Sequence, residues 1–253
     1  MKKALLLILF LIIVFNPVIL HAQQAPASVG LPHIGINVGT SSKPGDISVT
    51  LQLLLLLTVL SLAPSLMIMT TSYLRIIIVF HFLKTALGTP QMPPSQLIAG
   101  ISLFITFFIM APTWSKVNDK ALKPLMDGKI TAEQAYNKGI EPVREFMFRN
   151  VRDEDLELFI GLAHLKRPND RKDLPTYIVI PAFVLSELRA GFIIGFFLFI
   201  PFVMIDMIIA SILMSMGMMM LPPTLISLPF KILLFILVDG WHLIIGSVVR
   251  SFT

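Results

Sequence analysis

Apolar and polar residues are segregated along this chain into long blocks rather than mixed. Residues 4–15 are apolar, and residues 23–46 form a polar stretch rich in Pro, Gly and Ser with no periodicity. Residues 47–74 carry no charge, which exceeds the roughly 20 residues a membrane-spanning helix needs. Pro64 predicts a kink there. The apolar pattern continues past Arg75 to Lys84, predicting one long bent helix with Arg75 and Lys84 on the cytoplasmic side. A turn follows at residues 88–94, then a second apolar run over 97–111 that Pro112 should end. Residues 174–221 are again almost wholly apolar. As one helix of about 1.5 Å per residue they would reach roughly 70 Å, more than twice the hydrocarbon thickness. Breaks are therefore expected at Pro181, Gly191, Gly195 and Pro201. Residues 225–249 predict a last apolar helix.

Residues 116–173 differ in kind. They hold 12 of the 20 Lys and Arg and 11 of the 15 Asp and Glu. Thr131-Ala132-Glu133-Gln134 matches a capping box, and Gly139 suits the end of that helix. Pro142 suits the first turn of another, carrying Arg144, Phe146, Met147 and Phe148. Asp153-Glu154-Asp155 puts negative charge where a helix N-terminus favours it. Leu156, Phe159, Ile160 and Ala163 then recur at i, i+3, i+4, i+7. This stripe, with Phe146, packs either within the loop or against a neighbouring subunit.

One apolar stretch cannot be continuous helix: Ser215-Met216-Gly217-Met218-Met219-Met220-Leu221-Pro222-Pro223. Gly217 loosens the backbone, and Pro222 and Pro223 each remove a donor. Irregular backbone at membrane depth is tolerated only where protein buries it or an aqueous cavity lines it. Seven of the 14 methionines fall between Met204 and Met220, and methionine suits irregular or changing surfaces. The stretch is either a tight turn with methionine as filler or a deformable apolar constriction.

Composition sets the class. The chain is 55% hydrophobic and 14% charged, against about 25% charged in soluble domains. This describes a membrane protein. The absence of cysteine excludes disulfides and thiolate-held metal. A net charge of +5, scattered along the chain, gives no reason to expect nucleic acid. Residues 1–22 read as a secretory signal peptide, with Lys2 and Lys3 before the apolar run, Asn16-Pro17 breaking it and Ala22 at the cleavage position. Leu20 is bulky for its place, and an uncleaved first span is the alternative. Cleavage would place residues 23 onward, and residues 116–173, outside the cytoplasm. The expected organisation is a leader (1–22), a linker (23–46), a first hydrophobic helical pair (47–115), an extracytoplasmic helical loop (116–173) and a second hydrophobic block (174–253).

Five charges interrupt that second block before Arg250 closes its last helix: Glu187, Arg189, Asp206, Lys231 and Asp239. A lone charge facing lipid is costly, so such groups pair or face water. Asp206 precedes Pro222 by 16 residues and Asp239 follows Pro223 by 16, which would level them in a hairpin. They fix helix register by pairing with cations, or they bind a coupling ion. Gly191-x-x-x-Gly195 permits close helix contact. Catalytic patterns are missing: Asp239 precedes Gly240 instead of following a Gly-x-Gly, and there is no His-Glu-x-x-His, Gly-x-Ser-x-Gly or phosphate-binding loop. No enzyme activity, cofactor or metal is expected.

Four segments carry a family resemblance. They are Ser72-Tyr73-Leu74-Arg75-Ile76 with Leu87-Gly88-Thr89-Pro90, and Glu141-Pro142-Val143-Arg144-Glu145-Phe146-Met147. The third is Pro181-Ala182-Phe183-x-Leu185-Ser186-Glu187-Leu188 leading to Phe192-x-x-Gly195-Phe196. The fourth runs from Met216 to Pro223, followed by Pro229-Phe230-Lys231 and Val238-Asp239-Gly240-Trp241. Together they resemble the FliP family of the flagellar type III export gate, over nearly the whole chain. The resemblance implies a non-enzymatic, channel-forming subunit that passes unfolded flagellar proteins across the bacterial inner membrane at the flagellar basal body. It implies a homopentamer within the gate, FliR and FliQ as partners, and FlhA and FlhB completing the apparatus. It implies that Met218, Met219 and Met220 close the channel. Family members often carry a polar residue where this chain has Ile193, which puts any contact resting on that group in doubt. Virulence-type relatives share the two late segments, but the leader favours the flagellar branch.

The expectation is an all-α, membrane-associated set of helical hairpins with a helical extracytoplasmic loop, assembling into a ring-like, pseudo-helical gate. The rival is a small four-span ion-coupled transporter using Asp206 and Asp239.

Overall fold

In a computed structural model, residues 44–89, 92–165, 170–218 and 220–252 are described. The leader, the linker up to residue 43 and Met219 lie outside them. Residues 1–51 and 52–253 separate into two units, and the packed helices belong to the second. The described residues are helical, with no strand.

Helix α1 (Pro44–Met69) continues through Pro64 and then stops. Helix α2 (Tyr73–Leu87) begins after three residues, so the single long helix expected from residue 47 to Lys84 is two helices. Burial accounts for the separation. From residue 51 to 69 the leucines of α1 are exposed, whereas Arg75, Ile76, Val79, Phe80, Leu83, Ala86 and Leu87 bury one face of α2.

Helix α3 (Ser95–Val117) runs through Pro112 instead of ending there. It passes into a π-helical turn (Asn118–Leu122) and a last turn (Lys123–Met126). Proline removes one donor, and apolar helices carry that loss through local adjustment. Helix α4 (Ala132–Asn150) opens on the Thr131–Gln134 capping box, with both reciprocal hydrogen bonds formed. Gly139 and Pro142 neither end nor start a helix; both lie inside α4. Gly139 is where α4 crosses the π-turn, since a methyl group added there would meet Ala121 Cβ at 3.3 Å. Pro142 is fully buried.

Helix α5 (Asp153–Leu162) carries Asp153, Glu154 and Asp155 in its first turn. Leu156 is buried, and Phe159, Ile160 and Ala163 pack half-buried around it, against a cluster that includes Phe146, Met147, Val179, Ala182 and Phe183. The stripe therefore packs on this chain's own helices.

Helix α6 (Thr176–Ser215) is continuous for 40 residues, through Pro181, Gly191, Gly195 and Pro201. The expected breaks are absent because the two glycines serve packing. Methyl groups added at Gly191 and Gly195 would stand 3.1 Å from Ile78 and 2.5 Å from the Phe82 ring, so α2 lies directly on α6. Beyond Pro222, the apolar run expected as one helix is two, α7 (Pro223–Leu237) and α8 (Gly240–Arg250), bent by 64°. The cause is Asp239, which adopts φ 49°, a left-handed conformation that Asp tolerates better than most residues. Close packing makes the bend compact: Gly240 has the Phe235 ring where a Cβ would stand.

Residues 51–69, Ser95–Met126 and Thr176–Ser215 are long and apolar enough to cross a membrane, and α7 with α8 would make a fourth span if the bent pair counts as one.

Candidate functional site

Helices α6 and α7 form an antiparallel hairpin whose tip is the methionine loop. The loop is built by the end of α6. Gly217 takes φ 73°, its N–H donates to Met214 O at 3.0 Å, and the Met218 N–H reaches back to Leu213 O at 2.9 Å. These two bonds make a Schellman motif, which satisfies the terminal carbonyls and reverses the chain. Pro222 and Pro223 then start α7, Pro223 in its first turn, where a missing donor costs nothing. Met218 is 41% exposed and Met220 is 97% exposed. The loop thus presents flexible apolar side chains without packing them on the chain.

The legs of the hairpin are held by a charged clamp. Lys231 Nζ lies 2.6 Å from Asp206 Oδ2, and Ser227 Oγ donates to Asp206 Oδ1 at 2.5 Å. Lys231 is 3% exposed and also donates to Ala86 O at 3.1 Å, in the last turn of α2. Gly88, with φ 72°, ends that helix and leaves its Cα open toward the ammonium, so a cation meets the negative end of the helix dipole. One lysine therefore joins α2, α6 and α7. Further along the legs, Phe202 packs against Phe235.

A second clamp lies deeper. Glu187 is fully buried, and Arg75 grips it with Nε at 2.9 Å and Nη2 at 2.5 Å. The other terminal nitrogen of Arg75 donates to Ser251 O and Oγ, and its guanidinium lies 3.8 Å over the Phe252 ring. Phe252 stacks on Phe146. Four parts of the chain meet here: α2, α6, the C-terminal end and the loop helix α4. Placing Arg75 as a cytoplasmic flank missed this, because hydropathy cannot tell a flanking cation from one facing a buried acid.

The adjoining motif residues complete the same face of α6. Ser186 Oγ donates to the buried Asp155 Oδ2 at 2.6 Å and accepts from the Arg152 N–H. Arg144, on α4, donates to Thr176 Oγ1 and Leu174 O at the start of α6. Neither Asp155 nor Arg144 stood out as a pairing partner in the sequence.

Asp206 and Asp239 are not level. Residues 216–222 lie in the turn and add no height, and Asp206 faces Ser227 and Lys231, two turns nearer the loop than Asp239. Asp239 is exposed at the bend, as is Arg189 on α6. Among the described residues no group of three or more acids or histidines is placed to hold a metal ion.

The FliP family model matches residues 56–248. The chain is similar to the flagellar biosynthetic protein FliP of Bacillus subtilis (strain 168), 55% identical over 217 residues, covering 86% of this chain and 98% of that protein. It is 47% identical over 231 residues to the FliP of Caulobacter vibrioides, covering 91% and 86% of the two chains. Against the FliP of Treponema denticola the match extends over all of both chains at 42% identity. With its all-helical architecture, its membrane-capable helices and these matches over most of its length, the chain belongs to the FliP family of flagellar biosynthetic proteins.

Proposed function

We propose that this chain is a channel-forming subunit of the flagellar type III protein export gate, passing unfolded flagellar proteins across the bacterial inner membrane. The observation that carries the reading is the methionine loop: Met218 and Met220 are exposed at the tip of a hairpin whose legs are clamped by Lys231 and Asp206. Such a loop has a rigid mount and a soft end. Several copies, a homopentamer in the family's pattern, would bring Met218, Met219 and Met220 around one axis in a ring-like, pseudo-helical gate. FliR and FliQ would complete that gate, with FlhA and FlhB beside it at the basal body. In this arrangement residues 1–22 are the leader and residues 116–173 face the periplasm.

A narrow apolar throat holds water poorly and blocks ions by dewetting when empty. Methionine has several low-cost rotamers and yields around polypeptides of varied shape. No covalent chemistry is asked of any residue. Transport coupled to an ion at Asp206 and Asp239 is disfavoured, because Lys231 and Ser227 already occupy the Asp206 carboxylate.

The test is to replace Met218, Met219 and Met220 together by alanine. The Schellman turn and the prolines do not depend on these side chains, so the complex should still assemble. Cells producing it should become leaky to small ions. Normal assembly with membrane conductance at the wild-type level would overturn the reading and leave the loop a turn only.

A further inference from the structure

Three of the five charges that interrupt the second hydrophobic block before Arg250 are taken up within the chain. Glu187 is held by Arg75, and Asp206 and Lys231 hold each other. Two remain: Arg189 on α6 and Asp239 at the α7–α8 bend are exposed and make no ion pair among the described residues. Each sits in apolar surroundings. Arg189 is the one charged member of a hollow of about 330 Å³ lined by Phe82, Phe192, Ile193, Phe196 and Phe197. Asp239 lies between Val238 and Gly240, which line an adjoining, almost wholly apolar hollow of about 510 Å³. Phe197 borders both hollows. An unpaired charge on an apolar face is costly, and here one cation and one anion are left over per chain.

We propose that, in the assembled gate, Arg189 of one copy pairs with Asp239 of the neighbouring copy, the phenylalanine hollow receiving the apolar residues beside Asp239. This rests on the reading that the chain assembles with itself. Charge complementarity commits the surface to a second copy: each chain supplies one cation and one carboxylate. A head-to-tail, pseudo-helical arrangement satisfies every pair but the one left open between its end copies. Lipid phosphate is a poorer occupant. A lipid phosphate would take Arg189 but repel the Asp239 carboxylate, so it leaves one of the two charges unmatched. Arg189 lies about seven turns before the end of α6, and Asp239 about four and a half turns past Pro223. Pairing therefore displaces neighbouring copies along the helix axis.

Charge reversal tests the pair. In the detergent-extracted complex, Arg189→Asp and Asp239→Arg should each lower the assembled fraction by about tenfold or more. The double variant Arg189→Asp/Asp239→Arg should recover several-fold over Asp239→Arg alone, since the two share the backbone cost of an arginine at the left-handed position 239. Singles that assemble normally, or a double variant no better than the worse single, would overturn the pairing. The native chain lacks cysteine, which gives a second measurement independent of yield. Two differently tagged chains, one carrying Arg189→Cys and the other Asp239→Cys, should form a disulfide between tags when co-produced. An intact complex with no such cross-link would overturn the pairing alone. So would co-purified anionic phospholipid that is lost from Arg189→Asp while Asp239→Arg retains it. Native chain recovered only as single copies would instead count against assembly itself.

Discussion

The ammonium of Lys231 stands 3.1 Å from the carbonyl of Ala86, at the end of a helix 145 residues earlier in the chain. The same nitrogen holds Asp206 at 2.6 Å. A lysine in the middle of an apolar helix thus ties both legs of the methionine hairpin to α2. The height of the loop is referred to a third helix rather than left to the hairpin.

Removing that lysine isolates an acid. Lys231→Met is expected to cost about 3 kcal/mol, because Asp206 is left with Ser227 as its only partner. A second change, Asp206→Asn, should recover part of the loss. Thermal melting of the purified variants checks both, and a double variant no more stable than Lys231→Met would count against the clamp.

The deeper clamp should discriminate between cations. Arg75 makes two bonds to Glu187 and two to Ser251, and a lysine cannot reproduce that fork. Arg75→Lys should destabilise by about 2 kcal/mol. Arg75→Met should cost more, about 3–5 kcal/mol, since Glu187 is fully buried. Adding Glu187→Gln to Arg75→Met should bring the melting temperature back toward the native value. Equal stability of the Lys and Met variants would remove the case for a bidentate grip.

Two glycines on apolar helices should behave oppositely. At Gly195 an added methyl would stand 2.5 Å from Phe82 Cγ and 2.9 Å from its Cβ, so swinging the ring does not relieve it. Gly195→Ala should cost about 1–3 kcal/mol. At Gly100 nothing lies within 4 Å of the added methyl. Gly100→Ala should be neutral or stabilise by up to about 1 kcal/mol, since alanine favours helix. Matching melting temperatures for the two variants would mean that α2 does not lie directly on α6.

The arrangement of blocks alone determined that this is a helical membrane protein. Some local signals were also complete in the chain: the Thr131–Gln134 capping box and the acidic start of α5 form from neighbours in sequence, and the structure contains both. Gly217, Pro222 and Pro223 likewise fix where α6 and α7 part, since backbone limits at these residues are intrinsic. What tertiary structure decided is which breaks are used. Pro112, Pro181 and Pro201 read as helix ends or breaks and Pro142 as a helix start, yet helices pass through all four. Asp239 carries no such signal and makes the 64° bend. A proline costs one hydrogen bond, which a long apolar helix can absorb, whereas the left-handed turn at Asp239 accompanies the packing of the Phe235 ring on Gly240. Pairing partners were hidden for a similar reason. Arg75 and Glu187 are separated by 112 residues, and nothing in the sequence measures a distance that only the packing of α2 on Gly191 and Gly195 brings to hydrogen-bond length.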